Sequence, residues 1–298
     1  MKELQTPWMP CADPFILPFA GKYYLYATTD AQSLSPYFDT ATEEEEGVRV
    51  FISDDLENWK YLGFALNRRD VIGDKWFWAP EIAYKNGKFY MVYTAEEHLG
   101  IAVADRPEGP FIQHGKKWIS DEKIIDGHFF FDDDGTPYLY YVRLLPDSGN
   151  TIFGARLKEN LLEVDFSTER FILKAQEKWE TVDCLVTEGP FILKRNGVYY
   201  LTYSANHTRC KDYAVGVATS TSPLENFKKY ENNPILKSHG TAVGVGHHSF
   251  FTDFTDNSLI CVYHSHYSKT QFTPRILRFA KTCFKEKHGL SILQIDMK

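Results

Sequence analysis

Three carboxylic acids, Asp13, Asp126 and Glu188, each lie eight or nine residues ahead of a turn glycine that opens an aromatic, alternating run. The three runs read GKYYLYATT, GTPYLYYVR and GVYYLTYSA. Because the acids hold equivalent places in these segments, we expect a repetitive fold to bring them together. Like carboxylates in a partly desolvated pocket drive one another's pKa values apart, so one stays protonated while another stays ionised. General acid–base cleavage of a glycosidic bond requires such a pair.

The same arrangement of motif, turn residue and alternating run occurs five times along the 298 residues. In the two further copies, the motif APE precedes GKFYMVYTA and the motif HHS precedes NSLICVYHS. In four copies a phenylalanine falls six positions before the turn residue, and these are Phe15, Phe129, Phe191 and Phe251. A single acid beside a turn usually caps the backbone, but repetition in register favours a shared site.

Each aromatic run is followed by a strand of small and β-branched residues, as in VRVFISDD and AVGVATST. The turn residues recur every 48 to 66 positions, an interval that fits a four-stranded sheet with its loops. No long amphipathic helix, linker or composition shift interrupts the pattern. The sequence therefore predicts an all-β fold, a single five-bladed β-propeller spanning residues 1–298. The acidic run Glu43 to Glu46 is predicted to be a solvated loop, and the run DDDG at Gly135 a hairpin turn.

Charge and composition narrow the classes of partner. A formal net charge of -7 argues against a phosphate backbone as ligand, so no nucleic-acid partner is expected. The 15% aromatic content suits strands and also supplies flat faces for sugar rings. The five cysteines form no CxxC pair, so buried thiols are expected rather than disulfides or zinc ligands. No membrane span or signal peptide is recognisable, which leaves localisation open between cytoplasm and, for a chain that has lost a leader, periplasm or exterior.

Six short motifs run in order along nearly the whole chain: ADPF, WAPE, IDGHFFFDDDG, TEGPF, GVGHHSFF, and YHSH with a later TPR. Together they resemble the family 43 glycoside hydrolases. The resemblance implies a five-bladed propeller and an inverting mechanism. It also implies Asp13 as general base, Glu188 as general acid, and Asp126 as the residue that tunes the acid's pKa and orients it. An inverting enzyme needs its acid and base about 6.5 to 9.5 Å apart to admit a water, and non-adjacent blades favour such a gap.

Three further residues are candidates for binding the sugar. Trp78 opens WAPE, where its ring could stack on a sugar or pack in the core, and Trp76 is a weaker stacking candidate. The resemblance suggests that His247 faces the channel and contacts a calcium-centred water cluster, although His248 could face inward instead. Arg275 matches the family's late arginine and could donate to sugar hydroxyls or to a carboxylate. No cofactor is expected to be required, and a structural calcium is the one metal that the resemblance suggests.

The sequence thus predicts an inverting glycoside hydrolase that removes terminal arabinofuranosyl or xylosyl units from plant-type oligo- or polysaccharides. One alternative is a carbohydrate-binding propeller without turnover, although three acids in one pocket argue against it. Another is a propeller glycosidase that acts on a different sugar, such as galactose, or on fructosyl or sialyl bonds through a covalent intermediate. Glu81 resembles a fourth catalytic acid, but its different offset from the turn residue favours a structural role.

Overall fold

Strands make up most of the chain. The computed structural model describes residues 9–28, 47–287 and 290–297. Within these ranges the chain forms 19 strands and two short 3-10 helices, Arg68–Asp70 and Lys178–Glu180. The acidic run Glu43 to Glu46 lies outside the described residues. In the described ranges, no helix is long and apolar enough to cross a membrane.

In the described residues the strands form five antiparallel sheets, and in each sheet consecutive strands pair as a meander. The first sheet comprises β1 (Phe15–Phe19), β2 (Lys22–Ala27), β3 (Gly47–Ser53) and β4 (Lys60–Asn67). The second comprises β5 (Trp78–Lys85), β6 (Lys88–Ala95) and β7 (His98–Ala104). The third comprises β8 (Ile124–Phe131), β9 (Pro137–Leu145), β10 (Gly149–Leu157) and β11 (Val164–Leu173). The last two comprise β12 (Thr187–Arg195), β13 (Val198–Ala205), β14 (Ala214–Ser220) and β15 (Lys228–Lys229), and β16 (Gly246–Thr252), β17 (Leu259–Ser265), β18 (Ile276–Lys287) and β19 (Leu290–Ile295).

The five sheets are the blades of a β-propeller, as the repeats predict. The inner strands β1, β5, β8, β12 and β16 each pack against the inner strands of both neighbouring blades, and β1 meets β16 to close the ring. The first described residues join the last blade. Cys11 N–H donates to the Arg275 carbonyl at 2.8 Å, and Leu277 N–H donates to the Met9 carbonyl at 2.9 Å.

The aromatic runs supply the core between blades. Tyr26, Tyr93, Tyr140 and Tyr203 lie in second strands and are fully buried, because each blade is covered on both faces by its neighbours. Burying such a side chain stabilises the fold by roughly 1.5–3 kcal/mol. Their hydroxyls find partners, as where Tyr93 donates to the Ile72 carbonyl at 3.0 Å. Most of the aromatic content therefore serves packing.

The thiols and the DDDG turn largely follow expectation. All five cysteines are free, and Cys11 and Cys261 are buried. Cys184 and Cys210 are half-buried, and the expectation of burial is wrong for Cys283, which is exposed on β18, the third strand of its blade. The run DDDG forms a turn in which Gly135 N–H donates to the Asp132 carbonyl at 2.9 Å.

Each inner strand has a kink at its start, and in four blades the pairing with the second strand shifts there. The kinked residues have positive φ and are Asp13 (50°), Ala79 (42°), Asp126 (56°), Gly189 (55°) and His247 (45°). A bulge re-aims the side chains that follow it, and non-glycine residues in this conformation concentrate at functional sites. The kinks therefore direct one residue of each blade toward the channel.

The kinks also correct the predicted register. Phe15 and Phe191 lie two residues after a kink, but His128 and Ser249 hold that place in blades three and five. Counting back from the turn residue is wrong there, because the loops after β8 and β16 are longer than the two-residue turn after β1. Glu188 is not strictly equivalent to Asp13, because Gly189 is the residue that lies eight positions before the turn glycine and carries the kink, and Glu188 directly precedes it.

Candidate active site

The structure brings the three predicted acids to one end of the channel. Asp13 and Asp126 are buried and line a cavity of about 30 Å³, together with residues from all five inner strands. This cavity is large enough to hold water. Glu188 is partly exposed, and the N–H of the next residue, Gly189, donates to Asp126 Oδ2 at 3.0 Å. Glu188 thus adjoins the cavity that the other two acids line, and the cavity with its adjoining residues is here called the pocket.

Asp13 is surrounded by donors. Arg275 Nη1 donates to Asp13 Oδ1 at 2.8 Å, and the Thr28 hydroxyl donates to Oδ2. Burial opposes ionisation, but the charges of Arg275 and His247 outweigh it and hold the pKa of Asp13 well below its usual range. Asp13 is therefore a carboxylate at any pH near neutral. Of the two partners predicted for Arg275, the carboxylate is present, and its contact with sugar stays a prediction.

His264 holds the backbone of the same residue. Its Nδ1 accepts the Asp13 N–H at 3.2 Å, and its Nε2 lies 3.3 Å from the Thr208 hydroxyl. This hydrogen-bond pattern assigns the proton to Nε2. Burial lowers the pKa of His264 to about 3, so the ring is neutral and its contact with the Asp13 carboxylate is not an ion pair. His264 therefore fixes position rather than charge.

Glu188 lies in different surroundings. The Tyr213 hydroxyl donates to Glu188 Oε1 at 2.7 Å, and Asn150 Nδ2 lies 3.5 Å from Oε2. Burial and the neighbouring Asp126 carboxylate raise the pKa of Glu188 to about 7, although His247 acts in the opposite direction. Near neutral pH a large fraction of Glu188 therefore carries a proton.

The charge of Asp126 acts on Glu188, and the charge of Asp13 acts on Asp126. The Asp126 N–H donates to the Thr94 hydroxyl at 3.1 Å, which anchors Asp126 to blade two. Burial raises the pKa of Asp126; the charge of Asp13 adds to the rise and the charge of His247 opposes it. Because Asp126 is bonded to the backbone next to Glu188, it is placed to orient the segment that carries Glu188.

His247, and not His248, faces the acids. His247 Nδ1 lies 3.3 Å from Asp13 Oδ1. Burial would lower the pKa of His247, but three surrounding carboxylates outweigh it and raise the pKa. The ring of His248 is directed between blades instead, with Nε2 2.6 Å from the Thr202 hydroxyl. This result resolves the alternative that the sequence left open.

Comparison with known proteins identifies the family. The profile of Glycosyl hydrolases family 43 matches residues 9–287. The chain belongs to family 43 of the glycosyl hydrolases. The crystal structure of an endo-1,4-beta-xylanase from Bacteroides thetaiotaomicron VPI-5482 superposes with a TM-score of 0.88 and 39% identity, covering 99% of this chain and 97% of that one.

Two further similar proteins support the family assignment. A thermostable family-43 glycoside hydrolase superposes with a TM-score of 0.83 and 32% identity, covering 97% of this chain and 93% of that one. The xylosidase/arabinosidase 43A of Humicola insolens is 28% identical over 239 residues, which cover 66% of this chain and 73% of that protein. This family 43 protein is therefore a glycoside hydrolase, and its substrate class is carbohydrate.

The predicted aromatic surface of this hydrolase is a pair of stacked rings. Trp78 begins β5 and is half-buried, and Trp76 stacks on it with ring centroids 5.9 Å apart and an 11° angle between planes. Trp76 is 43% exposed, and the Lys75 ammonium lies 4.2 Å from its ring centroid. The Ala79 N–H donates to Thr28 at 2.9 Å, and Thr28 donates to Asp13, so this strand is tied to Asp13. Sugar contact by Trp78 stays a prediction.

The suggested metal contact of His247 does not fit direct ligation. Calcium takes six to eight oxygen ligands, whereas His247 Nδ1 lies against Asp13. In the part of the chain that the structure describes, no group of three or more His, Cys, Asp or Glu side chains is arranged to hold a metal ion. A calcium contacted through water stays a prediction.

Glu81 has the structural role predicted for it. Both of its oxygens are used, one by His128 Nδ1 at 2.9 Å and one by the Phe129 N–H at 2.9 Å. His128 Nε2 in turn accepts the Ile192 N–H at 2.9 Å. The acid of blade two therefore lines the pocket, but both of its oxygens are occupied by contacts that link blades two, three and four.

Sequence reasoning missed five residues that contact the acids: Thr28, Thr94, Asn150, Tyr213 and His264. The motif YHSH contains His264, so the family resemblance marked that position without assigning it a contact. Thr28 directly follows β2 near the end of the first aromatic run, and Tyr213 precedes the third strand of blade four. Nothing in the sequence separates these two from the many packing residues of the same types.

Proposed function

We propose that this enzyme is an inverting hydrolase that releases arabinofuranosyl or xylosyl units from plant-type oligo- or polysaccharides. The observation that carries the proposal is that two acids of one pocket have pKa values shifted in opposite directions, down for Asp13 and up for Glu188. Asp13 is held ionised by Arg275, while burial and Asp126 favour the protonated form of Glu188. One group is therefore ready to accept a proton while the other is ready to donate one.

In the proposed reaction Glu188 gives its proton to the glycosidic oxygen as the bond from that oxygen to the anomeric carbon breaks. Asp13 takes a proton from a water whose oxygen forms the new bond on the opposite face. The configuration at the anomeric carbon is inverted, and the leaving sugar departs as an alcohol. Asp13 ends protonated and Glu188 ionised, and exchange with solvent restores both.

A stacked pair of rings between the two acids supports a water-sized gap. Tyr213 is bonded to Glu188, His264 is bonded to Asp13, and the two ring centroids lie 5.7 Å apart with an 11° angle between planes. The acid and the base are thus attached to different members of the stack instead of to each other. An inverting mechanism needs its two carboxyl groups about 6.5 to 9.5 Å apart, and this separate attachment supports the proposal of such a gap.

The sugar is proposed from the relatives. The names of a Humicola insolens relative and the Bacteroides thetaiotaomicron structure both refer to xylan- or arabinan-type substrates, but they differ in whether the cut is terminal or internal. Loop shape sets that choice, and fold does not settle it.

A substrate panel tests the proposal. Nitrophenyl α-L-arabinofuranoside, β-D-xyloside and β-D-galactoside, together with arabinoxylan, are incubated with the wild type and with Glu188→Gln. We expect release of arabinose or xylose, and proton NMR of the first product is expected to show the inverted anomer. Retention of configuration would instead indicate a covalent intermediate. Binding without release, unchanged in Glu188→Gln, would indicate a carbohydrate-binding propeller.

A further inference from the structure

Tyr213 is a fully buried residue that contacts the candidate acid. Its hydroxyl donates to Glu188 Oε1 at 2.7 Å. The Ser204 hydroxyl in turn bonds to the Tyr213 oxygen, and the His247 N–H donates to Ser204 at 2.8 Å. Donors therefore point in one direction along this chain, from His247 through Ser204 and Tyr213 to Glu188.

The ring of Tyr213 is confined on two sides. His264 stacks on one face, with centroids 5.7 Å apart. Gly246 lies against an edge, where an added Cβ would approach the Tyr213 ring to 2.3 Å. Only glycine leaves room for the ring at that point. Packing therefore fixes the position of the hydroxyl oxygen, and the hydrogen bond from Ser204 to that oxygen favours donation of the Tyr213 proton to Glu188.

We infer that Tyr213 is a positioning residue that leaves Oε2 of Glu188 as the oxygen that carries the catalytic proton. A hydroxyl that donates to Oε1 requires an unprotonated oxygen there, so the proton of the neutral acid resides on Oε2. Asn150 Nδ2, 3.5 Å from Oε2, lies beside the atom that becomes negative when the proton leaves. The inference rests on the proposed function, in which Glu188 is the general acid.

Removal of the Tyr213 hydroxyl is expected to shift the pKa of Glu188 in a defined direction. A hydrogen bond donated to a carboxylate favours its ionised form, so losing the bond raises the pKa of Glu188. The charged and titratable groups around Glu188 are Asp126, Asp13, His247 and the thiol of Cys184, and none of these is altered in Tyr213→Phe. The alkaline limb of kcat/KM, which falls as the acid loses its proton, therefore moves to higher pH.

The test compares Tyr213→Phe with a matched control, Tyr200→Phe. Tyr200 is a buried tyrosine of the same blade whose hydroxyl donates to the Ser291 carbonyl at 2.8 Å. In Tyr213→Phe we expect the midpoint of the alkaline limb of kcat/KM to move to higher pH by about one unit. We also expect kcat at its plateau to fall about 10-fold with KM little changed, because the proton then distributes over both oxygens. The control is expected to match the wild type in both readouts, and an unshifted limb in Tyr213→Phe overturns the inference.

Infrared spectroscopy with ¹³C-labelled glutamate gives a readout that does not require turnover. The carbonyl band of protonated Glu188, assigned by its loss in Glu188→Gln, is expected in the wild type below the frequency of a free carboxylic acid, since Tyr213 donates to that oxygen. A free-acid frequency in the wild type overturns the inference even where Tyr213→Phe does not fold. A lowered band in an enzyme that hydrolyses none of the panel supports the contact and overturns the proposed function alone.

Discussion

Asp13 and Glu188 lie in the same pocket, yet their surroundings favour opposite protonation states. Burial by itself would raise the pKa of both acids. Asp13 has a guanidinium at 2.8 Å, whereas Glu188 has a neutral hydroxyl at 2.7 Å and a carboxylate neighbour. The nearest charge, and not the depth of burial, therefore decides which acid is ionised and which favours the protonated form.

The largest effect is expected from removing either acid. Asp13→Asn and Glu188→Gln are each expected to lower kcat/KM by about 100-fold or more, because general base or general acid catalysis is lost. The rates are measured on the best substrate of the panel, with thermal unfolding as the control for folding. Near-normal turnover in either variant would refute its assigned role.

The next largest effect is expected from replacing Arg275, whose guanidinium lies beside Asp13. In Arg275→Met the pKa of Asp13 rises, because its main cationic partner is gone. The base must be ionised, so the acidic limb of kcat/KM is expected to move to higher pH, and the rate at neutral pH to fall by roughly 10-fold.

Arg275→Lys is the matched control, since it keeps the charge and loses the planar fork. Its acidic limb is expected to lie nearer to that of the wild type. Equal displacement of the limb in both variants would show that geometry, and not charge, is what Arg275 supplies.

A smaller and opposite change is expected from Asp126→Asn. The Asp126 carboxylate is the main charge that raises the pKa of Glu188, so its removal lowers that pKa. Glu188 then loses its proton earlier, and the alkaline limb of kcat/KM is expected to move to lower pH. A pH–rate profile measures the shift, and movement to higher pH would contradict the assigned role of Asp126.

The smallest effect on activity is expected from Glu81→Gln. Glu81 accepts from His128 and from the Phe129 N–H, so an amide leaves one buried donor without its acceptor. We expect the free energy of unfolding to fall by about 1–3 kcal/mol while kcat stays within about two-fold. Denaturant unfolding and steady-state kinetics measure the two quantities. A large loss of kcat at unchanged stability would make Glu81 part of the catalytic machinery.

Much of the fold follows from local pattern. Alternating aromatic runs after turn glycines predict strands whose two faces are both buried, and five such copies predict five blades. The exact alignment of the blades did not follow, because the turns after β8 and β16 have different lengths from the turn after β1. Asp126 and Glu188 both lie nine residues before a turn glycine, yet Asp126 carries the kink of its blade and Glu188 directly precedes the kink at Gly189.

The sequence by itself determined which acids could share a site, since repetition places Asp13, Asp126 and Glu188 at the same end of their blades. Only the tertiary structure decided what surrounds each one. Arg275 reaches Asp13 across 262 residues, and Tyr213 reaches Glu188 from a loop between strands of the same blade. A pKa depends on the charges and donors within a few ångströms of a group, and closing the ring of blades is what brings those neighbours together.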